Sequence, residues 1–196
     1  MRVVAVHAPA GGSTATHDAY TIAVSAARSA GHDVVTIDLA AERFAPVMSG
    51  EEHAAYLGED PLVAEETRRS AEAVISAQAL VFVYPTTFTT IPVVLKGWFE
   101  RVFVPGVGFV LDPRTHKVRR NLTGVRRIVG IATYEGSRAD VRRARDNGRR
   151  TIERGLRLNT GFRTRTSWIA LHDADRAGPG EIEAFHSRIE RRLERL

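Results

Sequence analysis

The side chains best able to do chemistry in this chain are hydroxyls, and they are grouped. The run His7-Ala8-Pro9-Ala10-Gly11-Gly12-Ser13-Thr14-Ala15-Thr16 sets small residues and hydroxyls directly behind a short apolar stretch. Free backbone N–H groups where such a loop enters a helix, joined by Ser and Thr hydroxyls, make a phosphate site. The run lacks the lysine of a Walker loop and the GxGxxG spacing of a dinucleotide fold. Hydroxyls at such a loop also serve as plain helix caps, so alone the signal is weak. A second group, Pro85-Thr86-Thr87-Phe88-Thr89-Thr90, follows the most apolar stretch of the chain. With no cysteine present, thiolate catalysis, disulfides and Cys-based metal sites are excluded. The histidines His7, His17, His32, His53, His116, His172 and His186 show no HExxH or paired ligand spacing, so no metal site is expected. His172 with Asp173 and Asp175 reads as a polar turn at a strand end.

These loops need a scaffold, and the hydrophobic pattern supplies one. Residues 2–7, with Val3, Val4 and Val6, read as a buried strand. A helix carrying Ala19, Ile22, Ala23, Ala26, Ala27 and Ala30 ends at Gly31. Val34, Val35 and Ile37 form a second strand ending at Asp38, and 39–60 read as irregular. A helix over about 62–78 puts Val63, Thr67, Ala71, Val74 and Ile75 on one side. The third strand is 79–84, and a helix restarts at Pro92, a favoured first-turn position. Residues 105–123 read as an excursion from the sheet. Ile128, Val129 and Ile131 form the fourth strand, a helix runs over about 139–158, and 167–171 is the fifth strand. Within that long helix the small residues Ala144, Gly148 and Gly155 permit close approach to the sheet. The last helix lines up Ile182, Phe185, Ile189, Leu193 and Leu196. Five strands alternating with helices predict an α/β doubly wound five-stranded parallel sheet with helices on both faces. Ligands of such sheets sit beyond the carboxyl ends of the strands, which selects the loops after His7, Tyr84 and Thr133.

The 196 residues suit a single domain spanning 1–196. No apolar run is long enough to span a bilayer and no signal peptide is legible, so a cytoplasmic protein without membrane insertion is expected. The formal charge of +5 comes almost entirely from arginine, since Lys96 and Lys117 are the only lysines. Interspersed acidic residues favour a compositional habit over an anionic partner, and no motif supports nucleic-acid binding.

The segment Phe82-Val83-Tyr84-Pro85-Thr86-Thr87-Phe88-Thr89-Thr90-Ile91-Pro92, followed by Val93-Val94-Leu95-Lys96-Gly97-Trp98-Phe99-Glu100-Arg101-Val102-Phe103, resembles the signature of the NAD(P)H:quinone oxidoreductase family. Val104-Pro105-Gly106-Val107-Gly108-Phe109 looks like its bacterial branch. The resemblance extends to His7 after the first strand, to Thr133-Tyr134-Glu135-Gly136 after the fourth, and to the Trp168-containing last strand. It implies a flavodoxin-like fold holding FMN or FAD, and hydride transfer from NAD(P)H through flavin to a quinone or similar electrophile. In such enzymes the cofactor carries the hard chemistry and the protein supplies orientation.

Carried over by position, Thr14, Ala15 and Thr16 match the family's phosphate-binding turn, in a loop about two residues longer here. Pro85, Thr86, Thr87, Phe88 and Thr89 match the turn along the isoalloxazine ring. Thr133, Tyr134, Glu135 and Gly136 match the loop at the ring's pyrimidine edge. Bacterial relatives usually carry two tryptophans where this chain has Thr87 and Phe88, and an aromatic followed by Gly at Thr89 and Thr90. The Tyr and His that help bind quinone in mammalian relatives have no clear match within 138–145. A wider, more polar acceptor pocket and weaker flavin binding are therefore expected. The resemblance also implies a homodimer, for which Trp98, Phe103, Val107 and Phe109 offer an aromatic surface. Some bacterial members are instead ancillary subunits of potassium-efflux systems, and a third reading is a domain that has lost flavin. The arginines 142, 143, 145, 149, 150, 154 and 157 read as a solvated helix face. Their sharper alternative is attraction of a partner or of the NADPH 2′-phosphate.

Overall fold

The computed structural model describes residues 1–11, 13–56, 62–115 and 117–196. The readings made for Gly12, for 57–60 within the irregular stretch, and for His116 fall outside them. Five parallel strands form the sheet: β1 (Arg2–His7), β2 (Asp33–Asp38), β3 (Ala79–Pro85), β6 (Arg127–Thr133) and β7 (Arg165–Leu171). Their order is β2-β1-β3-β6-β7. Alternation along the strands feeds two cores. Val4, Val6, Leu80, Phe82 and Tyr84 face one side, and Val3, Ala5, Val81, Val83, Val129 and Ile131 face the other. Helices α1 (Thr14–Ser29) and α8 (Pro179–Leu193) close the second side, while α3 (Glu65–Ser76) and α4 (Val93–Val102) close the first. The doubly wound five-stranded sheet expected from the sequence is the sheet observed.

Several local expectations change. The stretch read as irregular contains a short helix, α2 (Gly50–Ala55), held by a reciprocal capping box. The Ser49 hydroxyl accepts from the Glu52 N–H, and the Glu52 carboxylate accepts from the Ser49 N–H. Ile75 lies on the exposed side of α3 rather than in the core. The excursion from the sheet holds as read, and it folds into a hairpin of β4 (Phe109–Leu111) and β5 (Val118–Arg120).

The surface assigned to a dimer is also corrected. Trp98, Phe103 and Val107 are buried in the chain's own core, and only Phe109 keeps partial exposure. The reason lies in the motif itself. Gly97 lets the helix touch the backbone of Pro46, where an added Cβ would stand 2.1 Å from the Pro46 oxygen. Trp98 donates from Nε1 to the Ser70 hydroxyl at 3.2 Å. Arg101 is buried and donates to Glu52 at 2.9 Å, to the Ala45 carbonyl at 2.7 Å and to Glu66. Gly97, Trp98 and Arg101 thus clamp α4 to the 45–52 segment and to α3, while Lys96 pairs with Glu100 within the helix.

The long helix expected over 139–158 is broken. It divides into α5 (Arg138–Ala144), α6 (Asn147–Arg150), a π turn (Thr151–Gly155) and α7 (Arg157–Thr160). Arg145 takes a left-handed conformation with φ 58°. The Asp146 side chain then accepts the Arg149 N–H and starts a new helix. Gly148 allows the close approach expected of it, since a Cβ there would lie 3.2 Å from the Tyr84 hydroxyl. Among the described residues no helix is long and apolar enough to cross a membrane.

Candidate functional site

The carboxyl ends of β1, β3 and β6 stand side by side, because His7 pairs with Val83 and Pro85 with Thr133 in the parallel register. Their three loops therefore meet. At the first, α1 begins at Ser13 without any side-chain cap. The N–H groups of Thr14, Ala15 and Thr16 form the open first turn of a 16-residue helix, which favours an anion. The Thr16 hydroxyl itself is spent. It lies fully buried, 3.1 Å from the Ser13 hydroxyl and 2.9 Å from the Thr133 hydroxyl. That contact ties the first loop to the third.

His7 is buried beneath the first loop. Its Nδ1 lies 2.9 Å from the Asp38 carboxylate and its ring stacks on Tyr20 at 4.7 Å. Its Nε2 is buried with no partner. Burial alone would raise the Asp38 carboxyl, but hydrogen bonds from the Ala41 N–H, His7 and the Ala40 N–H hold it below its ordinary value. Tyr20 is pushed up to about 12 by burial and by the nearby Asp38 charge. His7, Pro9, Gly11, Ser13, Thr14 and Asp38 border one hollow of about 400 Å³.

The threonine-rich loop is a tight two-residue hairpin. Thr87 and Thr90 exchange both backbone hydrogen bonds, at 3.1 and 2.9 Å. Phe88 and Thr89 at its tip have φ of 45° and 58°, a left-handed pair that turns of this kind normally give to Asn-Gly. Phe88 is 98% exposed as a result. The Thr86 hydroxyl below it is buried without a partner, as is that of Tyr84.

The third loop carries Tyr134, which is buried and donates from its hydroxyl to Asp146 at 2.5 Å. Its ring stacks on His172 at 4.8 Å. Burial, then the Asp146 hydrogen bond and charge, push the Tyr134 hydroxyl far above its ordinary value. Burial and the Arg138 charge lower His172. Thr86, Phe88, Thr89, Tyr134, Glu135 and Gly136 border a second hollow of about 190 Å³.

The expected site residues thus come together in two adjoining groups. Pro85 and Thr133 are strand ends that aim the loops, Ala15 is half-buried, and Thr87 sits exposed in the hairpin stem. Sequence reasoning missed Asp146, Asp140 and Val141, which also border the second hollow. The Asp146-Asn147-Gly148 run was the available signal, because such a triplet inside a helical pattern marks a break.

A profile of the flavodoxin-like fold matches residues 1–189. The chain belongs to the flavodoxin-like fold family. NAD(P)H dehydrogenase [quinone] 1 of Cavia porcellus is 33% identical over 102 residues, covering 44% of this chain and 37% of that protein. The match therefore spans little more than a third of the curated relative. Among solved structures, an NAD(P)H:quinone oxidoreductase from Methanothermobacter marburgensis superposes with a TM-score of 0.82 at 20% identity, over 98% of this chain and 96% of the other. An FMN-dependent NADH-azoreductase from Bacillus anthracis, in complex with FMN, gives 0.75 at 15% identity over 98% of both chains. At such identities the flavodoxin-like fold is what these neighbours share with this chain.

Proposed function

We propose that this protein is a flavin-dependent NAD(P)H oxidoreductase acting on quinones or similar electrophiles. The observation that carries the reading is the set of unsatisfied groups at the strand ends. An uncapped helix start, the orphaned Thr86 hydroxyl and the orphaned His7 Nε2 are what a phosphorylated, planar cofactor would satisfy. The first-turn N–H groups of Thr14, Ala15 and Thr16 would hold the phosphate. Thr86, Phe88 and Thr89 would border the ring from one loop, and Tyr134, Glu135 and Gly136 from another. Flavin, when bound, supplies two-electron transfer between NAD(P)H and the acceptor. The chain's own residues orient the reactants and exclude water, and burial together with the bond to Asp146 keeps Tyr134 protonated.

The quinone dehydrogenase of Cavia porcellus and the quinone oxidoreductase of Methanothermobacter marburgensis support the same class of reaction, and the Bacillus anthracis azoreductase supports FMN. A cytoplasmic location and a twofold pair of chains belong to this reading. The exposed Phe88 tip, unlike the buried α4 aromatics, is then one of the apolar side chains available to a second copy. The test is anaerobic titration of the flavin-loaded protein with NADH or NADPH, followed by a quinone. Bleaching of the flavin band by the nucleotide and its return with quinone are expected. A flavin band unmoved by either nucleotide would overturn the reading.

A further inference from the structure

Beyond Tyr134, against the edge strand β7, lies a larger cleft of about 720 Å³. Its wall is basic: Arg138 and Arg142 come from α5, Arg145 from its left-handed end, Arg150 from α6 and Arg154 from the π turn. Among the described residues none of these five has a carboxylate within ion-pair distance. The acidic residues of the same wall are already engaged. Asp146 accepts from the Tyr134 hydroxyl and the Arg149 N–H, and Glu153 pairs with Arg149 at 2.9 Å. Arg149 also stacks on Trp168 at 5.7 Å, closing the floor. A concave wall of unneutralised guanidinium groups focuses a positive potential, and the guanidinium fork matches phosphate oxygens. The helix read as a solvated face is therefore one wall of a cleft.

The cleft adjoins the proposed ring site. Tyr134, Val141 and Asp146 line both hollows, so one elongated molecule can lie in the two at once. We infer that the cleft takes the phosphate-bearing adenosine end of the nicotinamide dinucleotide, and that it makes NADPH the preferred donor over NADH. The inference rests on the flavin reading of the adjoining hollow. Both nucleotides share the diphosphate, but only NADPH adds the 2′-phosphate, worth about 1.5–2 further negative charges. Five uncompensated cations suit the more highly charged ligand. The π turn on this wall is a rare conformation that recurs at functional sites.

The test uses the paired variants Arg142→Gln/Arg145→Gln and Arg150→Gln/Arg154→Gln. Arg191→Gln, exposed on α8 away from the cleft, serves as control. Calorimetry of the full chain with adenosine 2′,5′-bisphosphate and with 5′-AMP reads binding without turnover. The bisphosphate is expected to bind more tightly than 5′-AMP, with a loss of roughly tenfold or more in each pair and none in the control. The kcat/KM for NADPH should fall in step while that for NADH changes little. Equal binding of the two adenosines, or variants that leave both unchanged, overturns the inference and leaves the flavin reading standing. Tighter binding of a single-stranded oligonucleotide than of the bisphosphate also overturns it. Arginine-dependent bisphosphate binding in protein that takes up no flavin supports the cleft and counts against the flavin reading alone.

Discussion

Tyr134 and Asp146 show how much one residue pair can organise. The tyrosine hydroxyl is buried and its proton is held by a carboxylate that also starts a helix. Tyr134→Phe removes the donor and leaves the carboxylate buried with one partner fewer. It should cost about 1.5–3 kcal/mol in urea unfolding, the usual range for a hydrogen bond to a charged group. Phe88 and Thr89 carry the opposite kind of information. Both hold a left-handed conformation that costs a side-chain-bearing residue about 1–2 kcal/mol. The double substitution Phe88→Asn/Thr89→Gly should therefore stabilise the fold by about 1–2 kcal/mol, read as a higher urea midpoint. The same change should weaken flavin retention by removing the exposed ring. Strain kept at a pocket rim points to use rather than to folding. The hydroxyl groups of this site were visible in the sequence as threonine runs. Which of them were free was not, because the Thr16–Thr133 bond joins residues from two distant loops.

At the scale of the element, α4 is the instructive case. Its order of residues marked it by resemblance, yet its contacts are structural. Gly97→Ala should cost about 3 kcal/mol or more, because the new methyl would overlap the Pro46 backbone and force α4 away. Arg101→Met should cost about 3–5 kcal/mol at neutral pH, because it strands the buried Glu52 carboxylate. Glu52 adds a pH signature. Burial tends to raise its carboxyl, but the Ser49 N–H and Arg101 hold it below the ordinary value. Its contribution is thus complete above the ordinary carboxylate range and is lost as pH falls through the lowered folded value. Asp38 behaves alike. Acid unfolding curves should show stability falling below about pH 4, and the part of that fall owed to Glu52 should shrink in Arg101→Met, where burial without the guanidinium raises the carboxyl. An acid-dependent fall as large in Arg101→Met as in the parent would contradict the assignment. The pattern of apolar residues made α4 legible as a helix, but not the burial of its arginine. A periodic stripe cannot say that Glu52 and Glu66 converge on the polar side of the next helix.

For the whole molecule, the sheet was readable because its three central strands, β1, β3 and β6, are nearly continuous apolar runs with both faces covered. The doubly wound class selected the loops after His7, Tyr84 and Thr133, and the strand order seen in the structure brings those three loops together. Less legible was the region after β6, where a helical pattern conceals a left-handed residue, a fresh cap and a π turn. Periodicity persists through such breaks, so composition alone reads one helix. The break matters, since it swings Asp146 under Tyr134 and lines the arginines along a cleft. The central claim remains that the ends of β1, β3 and β6 hold a flavin. The most direct measurement is the visible absorption spectrum of the purified protein, with mass identification of what heat releases. Protein that is yellow, or turns so on incubation with FMN or FAD, and releases one flavin per chain is the expected result. Colourless protein that quenches the fluorescence of neither flavin would contradict the account.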